Sequence, residues 1–245
     1  MLRQFWFGLL DLLWPPRVRC LLCNGPLAGG VYPVCAGCWS TMGFPADRRY
    51  CANCARPMAE EERLCAECMA EPAFGHVTAL GLHEGALREA IHHLKFGGRP
   101  ELGPLLGERL AGAVGDRPHF IVPVPLHKAR LRERGYNQAS LIARGLSAGL
   151  GVPVLENGLI RWRGTGHQAK LDRAARLQNL QGAFAIGPQA PLWHGKSVLL
   201  VDDVLTTGAT ASAAAAAIRA SGAGAVNLAV LAVSATPVKI HTAAT

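Results

Sequence analysis

Two groups of residues in this chain carry types and spacings that could do chemistry. The first is four Cys-x-x-Cys pairs: Cys20/Cys23, Cys35/Cys38, Cys51/Cys54 and Cys65/Cys68, with 11, 12 and 10 residues between successive pairs. Two thiolates in one tight turn grip one face of a Zn²⁺ ion, and a second pair closes a tetrahedral Cys₄ site. Eight ligands make two closed sites, which points to structural zinc, because a catalytic zinc keeps a position open for water. Sequential pairing gives two zinc ribbons; a crossed pairing satisfies the same count. The second group is Asp202-Asp203 followed by Thr206-Thr207-Gly208-Ala209-Thr210. The apolar run 198–201 before it reads as a buried strand that delivers two carboxylates to its C-terminal edge, where ligands of open α/β sheets collect. The hydroxyls, a glycine that lets backbone approach closely, and a helix start suit a phosphate. Carboxylates at one end suit sugar hydroxyls or a hydrated Mg²⁺. A sugar phosphate satisfies both ends.

The elements that must position these groups follow from the apolar pattern. Strands are expected over 77–82, 119–125, 198–201 and 225–233, and helices over 87–96, 101–113, 136–149 and 210–220, with Gly149 and Gly151 as stop signals. Continuous apolar strands separated by helices indicate a parallel sheet in an α/β domain. Composition shifts near residue 70. The expected organisation is an amphipathic helix over 1–17, a double zinc ribbon over 18–70 and the α/β domain over 71–240. A ribbon segment of this size, with few large aliphatic residues, needs metal to hold its fold.

The stretch from Val198 to Thr210 resembles the loop by which type I phosphoribosyltransferases bind 5-phosphoribosyl-1-pyrophosphate (PRPP). That resemblance implies that Asp202 and Asp203 hold the ribose hydroxyls and, indirectly, Mg²⁺, while Thr206, Thr207, Gly208, Ala209 and Thr210 cradle the 5-phosphate. It extends to residues 83–103, 122–143 and 168–184, which look like successive blocks of the ComF competence-protein family. Members of that family resemble a double zinc ribbon fused to a phosphoribosyltransferase-type domain, and are associated with natural transformation or the use of external DNA. The family pattern places Arg134-Gly135-Tyr136-Asn137-Gln138 after a proline loop facing pyrophosphate. Arg132 and Arg134 are therefore the candidates for binding it, because a guanidinium fork holds two phosphate oxygens at once. Asp202, Asp203 and Arg134 would carry catalysis if the domain turns over. Lys95 and Arg99, near the end of an early helix, could line the same cleft, with solvation of the helix end the favoured role for both.

Composition bounds the rest. The chain has 245 residues, 50% apolar and 17% charged, which excludes global disorder. No apolar run approaches the ~18–20 residues of a membrane-spanning helix. The N-terminal stretch is interrupted by Asp11 and ends in Trp14-Pro15-Pro16 rather than small residues, so no export signal is expected and a cytoplasmic location follows, where thiols stay reduced. The net charge is +8, and residues 128–176 hold ten Lys/Arg against three acids. Such a concentration suits polyanions. Lys128, Arg130, Arg161, Arg163, Arg173 and Arg176 are the candidates for a single-stranded DNA face. Aromatics there are confined to Tyr136 and Trp162, which favours backbone contact over base stacking. The expected partners are PRPP or a related phosphosugar, single-stranded DNA and the competence translocation machinery. Enzymatic phosphoribosyl transfer to a nitrogen acceptor is the alternative function.

Overall fold

The structure is a computed structural model and describes residues 19–27, 30–31, 33–58, 62–70, 72–162 and 183–234. The expected helix over 1–17 lies outside them, as do Arg163, Arg173 and Arg176. The chain divides into two compact units, Met1–Met42 and Gly43–Thr245. That division falls between the two ribbons, whereas the composition shift falls near residue 70.

In the first unit β1 (Gly30–Val31) pairs antiparallel with β2 (Val34–Cys35), and α1 (Ala36–Ser40) follows. Elements this short cannot hold themselves together by packing, and Cys35 caps α1 by accepting from the Cys38 N–H.

The second unit begins with β3 (Arg49–Tyr50), β4 (Pro57–Met58) and α2 (Ala66–Ala70). It continues through β5 (Val77–Leu82), α3 (Gly85–Phe96), α4 (Leu102–Ala111), β6 (Phe120–Pro123), α5 (Lys128–Arg134) and α6 (Gln138–Leu150). A small antiparallel pair, β7 (Leu159–Arg161) with β8 (Phe184–Ile186), precedes β9 (Ser197–Leu205), α7 (Ala209–Ala220) and β10 (Ala225–Val233). The sheet order is β5-β10-β9-β6, and every pair in it is parallel. Central strands of such a sheet are covered on both faces, which is why β9 and β10 read as unbroken apolar runs.

Two glycines expected to stop α6 separate into different roles. Gly151 ends the helix in the left-handed region at φ 64°, where a Cβ is costly. Gly149 lies inside the helix, and a Cβ there would come within 2.6 Å of the Ala111 Cβ. At Gly145 the clash would be with the Pro104 carbonyl, and at Gly107 with the Ile142 carbonyl. Small residues on both helices let α4 and α6 cross backbone to backbone, which seats the N-terminus of α6 close to the sheet.

Candidate functional site

Asp202 and Asp203 stand inside β9, not after it as the apolar run alone suggests. β9 stays paired to β10 as far as Leu205 opposite Val233, but its pairing with β6 ends at Val201 opposite Pro123. β6 stops where the proline-punctuated loop leaves the sheet. The carboxylates therefore have a neighbouring strand on one side and an opening on the other.

Asp203, only 6% exposed, is tied by both oxygens. Lys95 Nζ lies 2.6 Å from Oδ1, and Gln138 Nε2 donates to Oδ2 at 2.7 Å. Of the two roles open to Lys95, the less favoured one holds: it lines the cleft and is held inward on the carboxylate rather than solvating the end of α3. Arg99 matches its expected surface role, paired with Glu101 at 3.4 Å. The Arg134–Gln138 block turns out to be the brace of this arrangement. Gly135 closes α5, Tyr136 Oη donates to the Leu94 carbonyl at 2.6 Å, and Asn137 Nδ2 donates to the Val124 carbonyl at 3.0 Å. Asn137 also caps α6 by accepting from the Ala139 N–H, and Gln138 reaches Asp203.

Asp202 alternates to the other face of the strand and lines the threonine–glycine loop. Its Oδ1 accepts from the Asp203 N–H at 2.8 Å. Burial, and next the adjacent Asp203 charge, push its carboxyl up from 3.8 to about 7. A carboxyl raised on folding favours the folded state below its unfolded value, and that contribution is lost as pH climbs through the folded one. In metal-free buffer, Asp202→Asn should match the wild type in urea stability near pH 4 and exceed it increasingly up to about pH 7, then by a constant margin. Parallel stability curves for the two proteins between pH 4 and 8 would show that Asp202 is not perturbed.

After β9, Thr206–Gly208 turns into α7. Gly208 sits at φ 80° as the helix N-cap residue, a region L side chains rarely adopt. The loop encloses about 50 Å³ lined by Asp202, Thr206, Thr207, Gly208, Ala209 and Thr210 among others. Free helix N–H groups and the positive end of the helix dipole face such a volume. On its other side the buried Arg56, from the second ribbon, donates through Nη2 to the Thr206 carbonyl at 3.0 Å. Sequence reasoning passed over Arg56 and gave Gln138 no role of its own. Gln138 lay within a family-like block that could have flagged it, whereas Arg56 carries no local signal.

Beside Lys95 a cleft of about 400 Å³ opens, lined by Phe96, Gly98, Arg130, Glu133, Arg134 and Tyr136. Phe96 is 68% exposed, with the Arg134 guanidinium carbon 5.0 Å from its ring centre. The structure separates the two arginines that the sequence pairs. Arg134 lines the cleft, whereas Arg132 is exposed and donates from Nε to the Lys128 carbonyl. Arg161, expected on a DNA face, lies over Phe184 at 5.6 Å, its pKa lowered by burial and then by Arg130.

The cysteines assemble sequentially. Cys20, Cys23, Cys35 and Cys38 form one group and Cys51, Cys54, Cys65 and Cys68 the other, with all sulfurs of a group within 4.8 Å of one another. Cys23 and Cys35 Sγ are 3.8 Å apart, and Cys54 and Cys65 Sγ 3.7 Å. A tetrahedral Zn²⁺ with Zn–S near ~2.3 Å sets its sulfurs about 3.8 Å apart, so the sites fit zinc. Burial works to raise the Cys20 thiol, but the N–H groups of Cys35, Cys23 and Leu22 hold it down at about 6. Cys51 is likewise held at about 7 against burial, by Cys54, Cys65 and Asn53. Cys38 and Cys54 are pushed up by burial and by the thiols around them. Such crowding of thiols is relieved by a divalent cation.

Comparison with known proteins agrees with both halves. Residues 9–69 match the double zinc ribbon domain family, and residues 137–240 match the phosphoribosyl transferase domain family. The chain is 33% identical over 202 residues to Competence protein F of Haemophilus influenzae, covering 78% of this chain and 86% of that protein. It is 31% identical over 218 residues to DNA utilization protein YhgH of Escherichia coli K12, covering 85% and 94%. Competence protein ComFC of Bacillus subtilis is 24% identical over 216 residues, covering 79% and 85%. Two Cys₄ ribbons, a parallel phosphoribosyltransferase-like sheet with its acidic pair and threonine loop, and relatives aligned along most of its length place this chain in the ComF competence-protein family.

Proposed function

We propose that this protein binds PRPP together with Mg²⁺ at the end of β9 and acts in the uptake or use of external DNA, contacting single strands through its basic segment. The observation that carries the phosphosugar reading is one strand end that joins the phosphate-sized loop to two carboxylates, with Lys95 held at the second. In that reading the loop amides and threonine hydroxyls take the 5-phosphate. Asp202 and Asp203 take the ribose hydroxyls, and Arg134 takes pyrophosphate from the cleft. Asp202, which lines the loop, offers the carboxylate oxygens that suit Mg²⁺, while Asp203 is held by Lys95 and Gln138; the ion would neutralise pyrophosphate charge when bound. The names of the relatives support the DNA role, as does the exposure of Lys128, Arg130 and Arg132 along α5. A cytoplasmic site of action beside the translocation machinery suits cysteines grouped in two fours for metal rather than paired in disulfides. Among the described residues no helix is long and apolar enough to cross a membrane.

A second reading, phosphoribosyl transfer, draws on the cleft beside Lys95. Phe96 there offers a flat apolar face to a nitrogen acceptor. Arg134 would stabilise charge on departing pyrophosphate as the C1–oxygen bond breaks.

The test pairs calorimetry of PRPP with Mg²⁺ against salt titration of a labelled oligothymidine. Single-strand affinity should fall with salt by about 0.7 log units per phosphate neutralised. Replacing Lys128, Arg130 and Arg132 together by Ala should flatten that slope by about 2. Arg134→Ala should weaken PRPP first. Absence of PRPP binding by the wild type removes the phosphosugar reading. Absence of oligothymidine binding at low salt removes the DNA one and leaves transfer as the function to assay.

A further inference from the structure

The geometry points to Arg56 as a positioning residue that makes the phosphate loop depend on metal in the second Cys₄ site. The inference rests on the phosphosugar reading for its ligand, though not for its mechanical part.

Arg56 leaves the ribbon two residues after Cys54, immediately beyond Ala55, which holds a left-handed φ of 57°. The turn is closed by Ala55 N–H donating to the Cys51 carbonyl and Cys51 N–H donating to the Arg56 carbonyl, both at 2.9 Å. The Arg56 N–H itself bonds the Cys54 sulfur. Its backbone is therefore part of one metal-gripping knuckle. Its side chain is 6% exposed and divides between two acceptors. Nη1 meets Glu67 Oε2 at 2.6 Å, and Nη2 donates to the Thr206 carbonyl at 3.0 Å, 150 residues away. Glu67 lies between Cys65 and Cys68, on the opposite knuckle. The ion pair thus spans the same two knuckles that the metal spans, and its free arm holds the first residue of the phosphate loop.

A buried guanidinium is stable only while its acceptors stay in place, and Arg56 Nε has no partner among the described residues. Two acceptors therefore hold the whole cation. If the Cys65/Cys68 knuckle moves away from Cys51/Cys54, Glu67 goes with it, and Arg56 is left as a buried charge with one neutral acceptor. Leaving for water then releases the Thr206 carbonyl. Nη2 also lies 3.3 Å from where a Cβ would project at Gly208, so the guanidinium packs against the loop's turning point as well as its entry. Metal at one end and loop shape at the other are thereby joined through a single side chain.

The experiment compares wild type, Arg56→Ala, Glu67→Gln and the surface control Arg48→Ala. Arg48 pairs with Glu84 on an exposed patch. Zinc content, hydrogen exchange of peptides spanning Leu205 to Ser212, and PRPP affinity in Mg²⁺ are read on each. Arg56→Ala and Glu67→Gln should keep two zinc ions, exchange the loop at least about tenfold faster, and bind PRPP about tenfold more weakly or worse, the scale of one charged hydrogen bond. Arg48→Ala should change none of these. Should Arg56→Ala fail to fold, Glu67→Gln reads the same loop with the guanidinium still present. Loop exchange that stays at the wild-type rate in the folded variants overturns the coupling, whatever PRPP does. If the wild type binds no PRPP while the variants still loosen the loop, the coupling stands and the phosphosugar reading falls.

Discussion

Cys51→Ser should lower the zinc content from two ions per chain to one and take the α/β unit's stability down with it. Cys51 is 2% exposed and Cys54 6%, and both belong to the core cluster that includes Phe74, Val77, Leu228 and Trp193. The Asn53 carbonyl between them accepts the Val77 N–H at 2.9 Å, at the start of β5. The second site is therefore built into the domain rather than appended to it. Structural zinc contributes about 10–16 kcal/mol to small finger folds at neutral pH, as much as a typical domain's whole margin of about 5–15 kcal/mol. A serine oxygen replaces one of four thiolates, so much of that contribution goes. Elemental analysis and thermal denaturation followed by near-ultraviolet dichroism provide the check. A variant with one zinc and an unchanged unfolding midpoint would show that this site is peripheral to the fold.

Asp203→Asn should weaken Mg²⁺-dependent PRPP binding by about ten- to a hundredfold and also cost about 3 kcal/mol of stability. The carboxylate receives two donors, Lys95 Nζ and Gln138 Nε2. An amide presents one oxygen to them and turns an NH₂ donor toward the other, leaving a partly buried ammonium without its anion. Breaking one side of a buried pair is what makes such changes expensive, and a lost charged hydrogen bond to the ligand accounts for the affinity. Calorimetry gives the first quantity and urea unfolding the second. The double variant with Lys95→Met should be less destabilised than the two single effects added together, because it removes the stranded ammonium. Strict additivity would mean that Lys95 and Asp203 do not depend on each other.

Both predictions draw on features of opposite legibility. The Cys-x-x-Cys pairs and the run from Val198 to Thr210 could be read along the chain because each is a local turn. A knuckle needs two thiols a fixed step apart, and a strand-to-helix turn of this kind needs its strand, glycine and helix start in immediate succession. The apolar pattern likewise announced the four sheet strands, and their continuous apolar runs between helices announced that they are parallel. Local pattern misjudged what ends an element. β9 runs through its own acidic pair to Leu205 because β10 continues to supply hydrogen bonds there, and no property of residues 202–205 reports the length of a neighbouring strand.

Partnerships across the fold were settled only by tertiary structure. Sequential rather than crossed pairing of the cysteines depends on which knuckles meet, and equal spacing permits either. Gln138 and Asp203 are 65 residues apart, and Arg56 and Thr206 are 150 apart. Lys95 has the same local sequence whether it faces solvent or a carboxylate. Its direction was decided by Tyr136 anchoring the last turn of α3, and by the glycine crossing that lets α6 approach the sheet. Residue type and short spacing thus specify what chemistry a segment can perform, because ligand geometry is local. Which charges are buried together depends on strand order and helix crossing, which no single segment contains.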